Sequence, residues 1–248
     1  MEDITARTEK KFIEASCDHG VRSDGRDLFD VRCMSVELGV LPQSNASCRL
    51  SIGTGTDLIC SLKVLEVGEP MPAAVNEGIL EVTVEFSPVI NPSADKKKLQ
   101  EQGARIASHL QQSLLSASAI ELEKLCIIPG KICWIAHVDI LFFQLDGCAV
   151  DAASYAAYAV LNTARYPQTE LIDGESGTPE DFELSSDLSL ARMLPLSRHG
   201  VPIVVSVAQI GSSITVDCDG PELACANSLM SFSFDNQGSC CSFRKEAG

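Results

Sequence analysis

The chain has 248 residues, of which 45% are hydrophobic and 21% are charged, as expected for a globular protein with a packed core. No apolar run approaches the roughly 18 to 20 residues that span a bilayer, and the acidic N-terminus is unlike a secretory signal, so we expect a soluble intracellular protein without a membrane partner. The net charge of −15 excludes a chain that coats RNA alone, since RNA binding depends on cations that neutralise phosphates.

Hydrophobic periodicity predicts an amphipathic helix at the start of the chain and four strands after it. The helix covers residues 5–18, a turn-rich basic loop follows at 20–26, and the strands lie at 31–40, 46–53, 57–66 and 80–86. The first three strands are predicted to pair in meander order. The fourth alternates apolar and polar side chains, which indicates one buried and one solvated face.

The middle of the chain contains a surface loop, a long helix and a long strand. Prolines and the charged run at 95–98 predict the loop, and the helix covers 99–116 with its apolar residues on one face. The strand at 131–145 is apolar on both faces, which predicts a central strand covered on both sides. Asp151 is predicted to cap the next helix, at 152–164, whose many alanines permit close packing on a sheet.

The last third of the chain begins with an acidic excursion at 168–187, interpreted as a surface loop with short strands. A hairpin of residues 201–210 and 213–217, a helix at 221–229, and strands at 230–235 and 239–244 follow. Helices that follow and precede groups of strands predict an α+β fold with mixed sheets and packed helices. No internal repeat or linker divides the chain, so residues 1–248 are predicted to form a single domain.

The eleven cysteines are scattered through apolar stretches, apart from the adjacent pair Cys240 and Cys241. No C-x-x-C motif is present, and the four histidines share no ligand-like spacing with cysteines. This pattern predicts reduced, buried cysteines that act as small hydrophobes, with no metal and no cofactor.

Other combinations of residues resemble catalytic or binding sites no more than chance would produce. His137 and Asp139 lie two residues apart on one strand, which predicts a hydrogen-bonded polar pair at a strand end. Ser197 and His199 can be combined with an aspartate into a nucleophilic triad, but no Gly-x-Ser-x-Gly motif supports it. Gly53-x-Gly55 lacks the third glycine and the helix of a dinucleotide site, so it is interpreted as a turn.

Several short segments carry a family resemblance. In chain order they are Gly20-Val21-Arg22-Ser23-Asp24-Gly25-Arg26, Thr56-Asp57-Leu58-Ile59, Asn76-Glu77-Gly78-Ile79-Leu80-Glu81, residues 125–134, Val138-Asp139, Asp146-Gly147 with Asp151-Ala152-Ala153, and Val216-Asp217 with Glu222. Together they resemble the RNase PH family, in particular ring subunits of the eukaryotic RNA exosome of the ribosomal-RNA-processing-protein-42 type. The resemblance covers nearly the whole chain.

The sequence departs from the family pattern in three places. Ala46-Ser47-Cys48 stands where the family often has Gly-Ser-Ala, and Gly147-Cys148 where it often has Gly-Asn. Both changes affect local turn geometry. Family members also usually continue past the position of Gly248 into another helix, so either this sequence is truncated or this member has lost that element.

The resemblance implies the RNase PH fold, which is like domain 2 of ribosomal protein S5. It also allows three features of active members to be compared with this sequence. Those members degrade RNA from its 3′ end with phosphate as the nucleophile. They carry arginines on the long helix, but residues 106–117 contain none, and Leu110, Leu114 and Ala117 lie near the expected places. They carry two aspartates where 223–229 has no carboxylate, and a phosphate loop that 243–248 does not match. The sequence therefore predicts a subunit without catalytic residues.

The resemblance also implies partners and contact residues. The partners are other RNase PH-like subunits in a hetero-oligomeric six-membered ring, RNA-binding cap subunits, a separate catalytic nuclease and RNA in the ring channel, with localisation to nucleus, nucleolus and cytoplasm. The RNA-contact candidates are Lys96, Lys97, Lys98 and Arg105, and the alternative is a merely solvated charge run. Arg22, Asp24 and Arg26 are interpreted as a structural loop.

Three other functions stay open at this point. One is an active phosphate-dependent 3′–5′ exoribonuclease, alone or completing a partner's site. The second is a different inert position in the ring. The third is an acidic scaffold unrelated to RNA.

Overall fold

The computed structural model describes residues 7–90, 95–174, 179–185 and 187–247. Residues 5 and 6 of the predicted first helix and parts of the two predicted loops lie outside these ranges. The helices are α1 (Arg7–Asp18), α2 (Lys96–Ser116), α3 (Ala149–Thr163) and α4 (Gly220–Cys225), with short 3-10 turns at Leu122–Leu125 and Leu188–Leu190. The strands are β1 (Met34–Leu38), β2 (Ala46–Ile52), β3 (Thr56–Gly68), β4 (Ile79–Phe86), β5 (Cys126–Ile128), β6 (Ile132–Gln144), β7 (Arg165–Tyr166), β8 (Thr169–Asp173), β9 (Pro179–Leu184), β10 (Arg192–Met193), β11 (Ile203–Ile210), β12 (Ser213–Val216), β13 (Ser228–Phe234) and β14 (Cys240–Ala247).

The larger sheet has the strand order β1-β2-β3-β6-β4, with β5 also paired to β6. The predicted meander of β1, β2 and β3 is confirmed, and β4 runs parallel to β6. The prediction that both faces of β6 are covered was wrong. Trp134, Ala136 and Val138 are buried, whereas His137 and Asp139 on the other face stay partly exposed. The helices pack on the buried face, whereas the opposite face is partly exposed along most of its length.

The smaller sheet has the order β12-β11-β13-β14 and is antiparallel throughout. Its first two strands are the predicted hairpin. α1 packs against this sheet through a small cluster that includes Ile13, Cys17 and Ile210. Two further strand pairs, β7 with β10 and β8 with β9, lie outside both sheets. Together the sheets and helices give the mixed α+β architecture that the sequence predicted.

Three helix ends differ from the prediction. α2 begins at Lys96 rather than at 99, since the Asp95 side chain accepts a hydrogen bond from the Lys97 N–H at 3.0 Å. The lysine run is therefore a first helical turn, not a surface loop. α3 begins at Ala149 with Cys148 as the N-cap, so Asp151 lies inside the helix. α4 ends at Cys225, because Ser228 already pairs in β13.

All eleven cysteines are free thiols, as predicted. Six are buried, at positions 17, 48, 60, 133, 218 and 225. The prediction of burial was wrong for Cys33 and Cys240, which are exposed. Among the described residues, no helix combines the length and the apolar character needed to cross a membrane.

Close approach of α2 to β4 depends on Gly103. A Cβ atom at this position would lie 2.3 Å from the carbonyl oxygen of Val84, which is backbone and cannot rotate away. Replacing a glycine inside a helix by alanine ordinarily stabilises the helix by about 1 kcal/mol. Here we expect Gly103→Ala to lower the free energy of unfolding by about 1–3 kcal/mol, since the helix must move off the sheet. Urea denaturation measures the change.

The exposed position Gln100 on the same helix provides the control. Gln100→Ala tests helix propensity without the clash, and we expect it to leave the unfolding free energy nearly unchanged. If Gly103→Ala is more stable than the wild type, α2 can accommodate a Cβ atom at this contact with β4.

Candidate functional site

A cavity of about 190 Å³ lies where α2, the start of α3 and the smaller sheet meet. α2 contributes Gln102, Arg105 and Ile106, and the turn into α3 contributes residues 147–150. The smaller sheet and α4 supply the opposite wall, and β14 adds Glu246. The sequence predicted that three segments lack catalytic groups: residues 106–117 on α2, residues 223–229 and residues 243–248. Each of them contributes to this cavity.

The turn into α3 brings backbone close to the cavity. Gly147 has φ +104°, and a Cβ atom there would lie 2.4 Å from the Cys218 carbonyl oxygen and 2.6 Å from an Arg32 nitrogen. Cys148, the N-cap, makes no capping hydrogen bond with its side chain. Helix N-termini favour anions because their first N–H groups lack intrahelical partners. The N-terminus of α3 therefore favours an anion. Burial raises the pKa of the Cys148 thiol, which keeps the thiol uncharged.

Few charged side chains line the cavity, and their charges are of opposite sign. Arg105 is exposed at its edge, and Glu246 is the carboxylate that lines it. Nδ1 of the buried His109 lies 3.1 Å from Oε1 of Glu246. The pKa of Glu246 is lowered, first by His109 and to a smaller extent by Arg244 and Arg105. A carboxylate held in its charged form repels phosphate, so this wall does not favour an anionic substrate.

Leucines occupy the stretch where the resemblance places the aspartates of active family members. Leu223 and Leu229 both line the cavity, and no residue from 223 to 229 is acidic. Ile106, Leu145 and Val150 add further apolar surface. This apolar part of the lining offers no group that stabilises charge on a leaving oxygen.

The α2 residues that the resemblance places near the arginines of active members do not line this cavity. Leu110, Leu114 and Ala117 are buried in the core rather than near the cavity. The face of α2 that lines the cavity begins one to two turns earlier and carries one arginine, Arg105. The sequence identified Arg105 as a candidate but did not place it at this cavity.

A buried hydrogen-bond network lies behind the cavity wall. The Asp151 carboxylate accepts hydrogen bonds from the N–H of Ser206 at 2.9 Å and from its hydroxyl at 2.6 Å. The Ser206 hydroxyl lies 2.9 Å from that of Ser231. Burial raises the pKa of Asp151 to about 7, although the Ser206 hydrogen bonds lower it. The network ties α3 to β11 and β13, a role that the sequence did not predict.

The loop residues Arg22, Asp24 and Arg26 are held in ion pairs. Arg22 is buried and donates to Glu222 at 2.8 Å and to the carbonyl oxygens of Val216 and Asp217. Arg26 contacts the carboxylates of Asp24 and Asp217, the latter at 3.2 Å. These contacts fix the loop to the segment between β12 and α4.

Sequence reasoning missed Arg32, which extends this network. Its side chain donates to Oδ1 of Asp217 at 2.7 Å and to the carbonyl oxygen of Asp146 at 2.8 Å. Asp217 has φ +46°, an uncommon backbone conformation for a residue other than glycine. The arginines and Asp217 hold each other in place, and the network supports the turn at Gly147.

Lys96, Lys97 and Lys98 are exposed in the first turn of α2. No carboxylate of the described residues forms an ion pair with any of them. The first turn contains no acidic residue, and lysines are unfavourable at the positive end of a helix dipole. This cationic turn is therefore available to an anionic partner.

The predicted His137–Asp139 pair does not form. Instead Nε2 of His137 lies 3.0 Å from Glu66 and Nδ1 lies 3.2 Å from Glu81, because the neighbouring strands place both glutamates beside it. The serine triad does not form either. Ser197 accepts a hydrogen bond from the His199 N–H, while the His199 ring faces Asp235 at 3.3 Å. In the part of the chain that the structure describes, no three His, Cys, Asp or Glu side chains gather as metal ligands.

Comparison with known proteins identifies the family. The model for RNase PH, the 3′ exoribonuclease family, domain 1, matches residues 30–167, which is more than half of the chain. The chain belongs to the RNase PH family. The matched region contains the larger sheet, α2 and α3. It therefore includes two walls of the cavity.

Relatives that match nearly the full length of this chain share one name. "Exosome complex component Rrp42" of Methanopyrus kandleri is 30% identical over 244 residues, which cover 98% of this chain and 86% of the relative. The protein of the same name from Thermococcus onnurineus is 28% identical over 246 residues, with coverage of 99% and 86%. Both relatives are archaeal, and the eukaryotic origin implied by the sequence stays a prediction.

Solved structures confirm the RNase PH fold. An Archaeoglobus fulgidus exosome with RNA bound to the active site has a TM-score of 0.82 at 23% identity, covering 97% of this chain and 87% of that one. An archaeal exosome core has a TM-score of 0.78 at 22% identity, with coverage of 100% and 88%. The predicted α+β fold with mixed sheets is therefore correct.

Proposed function

We propose that this chain is a structural, non-catalytic subunit of an RNA exosome ring, which supports 3′–5′ RNA processing by guiding RNA to a separate nuclease. Membership of the RNase PH family and relatives named as exosome components support the ring role. The observation that carries the non-catalytic role is the cavity, where Leu223 and Leu229 stand in the stretch that bears aspartates in active members. Ring partners would be other RNase PH-like subunits, with cap subunits above.

A direct assay separates this proposal from an active exoribonuclease. Purified chain is incubated with single-stranded RNA and inorganic phosphate, and nucleoside diphosphates are measured. We expect no release above a protein-free control. Phosphate-dependent release from the isolated chain would contradict the proposal. Release only from a mixture with other RNase PH-like subunits, lost in Arg105→Ala, would instead indicate that this chain completes a partner's site.

RNA contact is proposed at Lys96, Lys97 and Lys98. Their ammonium groups are exposed and have no ion-pair partner among the described residues, and the helix N-terminus adds a partial positive charge. The net charge of −15 disfavours RNA over the molecule as a whole, so a phosphate contact has to be local. A ring that guides RNA needs such a local contact rather than a binding surface along the whole chain.

We expect Lys97→Glu to weaken RNA binding by the assembled ring several-fold without unfolding this subunit. Removing one phosphate contact to single-stranded RNA should reduce the slope of log K against log salt by about 0.7. The charge reversal also suits the helix dipole, so the isolated chain should remain as stable as the wild type. Fluorescence anisotropy of labelled RNA at several salt concentrations measures both quantities.

Lys131→Glu makes the same charge change at an exposed lysine that precedes β6 and is not part of α2. It controls for the change in net charge. If Lys97→Glu and Lys131→Glu reduce RNA binding equally, the first turn of α2 has no specific contact with RNA and the charge run is only solvated.

A further inference from the structure

Two cysteines face each other across the hairpin of β5 and β6. Ile128 pairs with Ile132, so in a regular ladder the next residue opposite Cys133 would be Ile127. The register shifts by one residue here and places Cys126 opposite Cys133 instead. Directly opposite residues of antiparallel strands have Cα atoms about 4.5–5.5 Å apart, and a disulfide spans about 4.4–6.8 Å. The backbone of the hairpin therefore already has the spacing of a disulfide, while both thiols are free.

The turn between the two cysteines is held by hydrogen bonds. The Lys131 N–H donates to the carbonyl oxygen of Ile128 at 3.0 Å, and Gly130 has φ +73°. The Gly130 N–H donates to the carbonyl oxygen of Val75 at 2.9 Å, which ties the turn to the loop before β4. These bonds keep the two strands of the hairpin in register.

The two thiols differ in their access to solvent. Cys126 is half-buried and lines a surface cavity of about 650 Å³, together with residues 73–77 and Pro129. Cys133 is 0% exposed. A small molecule in solution therefore meets the sulfur of Cys126 first. Burial raises the pKa of both thiols, so thiolates are scarce at neutral pH and their reactions become faster as pH rises.

We propose that Cys126 and Cys133 form a cross-strand dithiol site, which low-molecular-weight disulfides convert into an intramolecular disulfide. Cys126 is the attacking thiol and Cys133 is the resolving thiol. The new bond ties β5 covalently to β6. Neither cysteine is among the described residues that line the cavity beside Arg105, so this site does not rest on the proposed ring function.

The conversion takes place in two thiol–disulfide exchange steps. The Cys126 thiolate attacks one sulfur of the small disulfide, which forms a mixed disulfide and releases one small thiolate. The Cys133 thiolate then attacks the Cys126 sulfur, and the second small thiolate leaves. The two protein thiols lose two electrons, one small disulfide is reduced to two thiols, and the protons of the cysteines end on the released thiolates.

A second cross-strand pair shows what access contributes. Cys48 and Cys60 are also directly opposite, on β2 and β3, but both are 0% exposed and belong to the hydrophobic core. Burial raises the pKa of the Cys48 thiol to about 11. A small disulfide has no exposed sulfur to attack there, although the two pairs share the same cross-strand arrangement. Oxidation should therefore be selective for the hairpin of β5 and β6.

The test uses the full chain, reduced and freed of reductant, with glutathione disulfide as the probe at pH 7 and pH 8.5. Remaining thiols are blocked with iodoacetamide, and disulfides are mapped by mass spectrometry of proteolytic fragments. We expect the Cys126–Cys133 linkage to form at least tenfold faster than any linkage of Cys48 with Cys60, and faster at pH 8.5 than at pH 7. A linkage of Cys48 with Cys60 that forms equally fast would overturn the proposal.

Variants separate the two exchange steps. Cys133→Ala should stop at a mixed disulfide of Cys126 with glutathione, and Cys126→Ala should leave Cys133 reduced. Cys60→Ala is the control, and it should form the Cys126–Cys133 disulfide like the wild type. Circular dichroism checks that each variant is folded, and the wild-type map decides the question if one is not. Wild-type chain in which Cys126 stays reduced, or keeps glutathione without closing onto Cys133, would contradict the site.

Discussion

Arg22→Met should lower the free energy of unfolding by about 3–5 kcal/mol, the range measured when one partner of a buried ion pair is removed. The side chains of Arg22 and Glu222 are 0% and 1% exposed, so the remaining carboxylate would stay buried without its counter-charge. Three carbonyl oxygens, of Asp30, Val216 and Asp217, would also lose a donor. Methionine keeps the length of the side chain, so the loss reports on charge and hydrogen bonds rather than on volume. Guanidinium denaturation of the isolated chain measures it.

Two further variants show that burial causes the effect. In the double variant Arg22→Met/Glu222→Gln neither buried charge remains, so its unfolding free energy should lie closer to wild type than that of Arg22→Met alone. Arg49→Met removes an exposed arginine from its pair with Asp57, and a much smaller loss is expected. Equal losses in Arg22→Met and Arg49→Met would mean that the network around Arg22 does not anchor the N-terminal loop.

Local patterns predicted the elements of this fold well, because they depend on neighbours in sequence. The alternation at 80–86 gave β4 its buried and exposed faces, and the alanines of 152–164 indicated the tight packing of α3. Helix starts were less predictable. The lysines at 96–98 are typical of a solvated loop in sequence. The Asp95 side chain caps the backbone there, and the three lysines therefore form a helical turn.

The site was less predictable, because its contacts join residues far apart in sequence. Arg22 meets Glu222 200 positions away, and Asp151 meets Ser206 55 positions away. The sequence identified Leu223–Leu229 as lacking carboxylates, yet only the fold brings that stretch to the cavity beside Arg105. Likewise, the partners of His137 are on neighbouring strands, and two-residue spacing on one strand did not reveal them.

The contribution of Asp151 to the unfolding free energy should fall as pH rises from about 4 to 7. Its folded-state pKa of about 7 lies above the ordinary value of 3.8, so within this window the folded chain holds a proton that the unfolded chain has released. Stability is therefore greatest below the unfolded pKa and is lost as pH rises through the folded pKa. At roughly 1.4 kcal/mol per pH unit, the contribution amounts to about 4 kcal/mol, an order-of-magnitude figure for this buried group.

Asp151→Asn should remove this dependence, because the amide cannot titrate. It can accept from the Ser206 N–H and donate to the Ser206 hydroxyl, so the network is kept. Urea denaturation of wild type and variant at several pH values isolates the effect, since other groups cancel in the difference. The variant should become the more stable chain as pH approaches 7. Asp187→Asn is the control, because the pKa of Asp187 is lowered by Ser189 and its effect is confined to acidic pH. A difference between wild type and Asp151→Asn that stays constant from pH 4 to 8 would show that Asp151 is ionised in the folded protein throughout, and that the hydrogen bonds from Ser206 outweigh its burial.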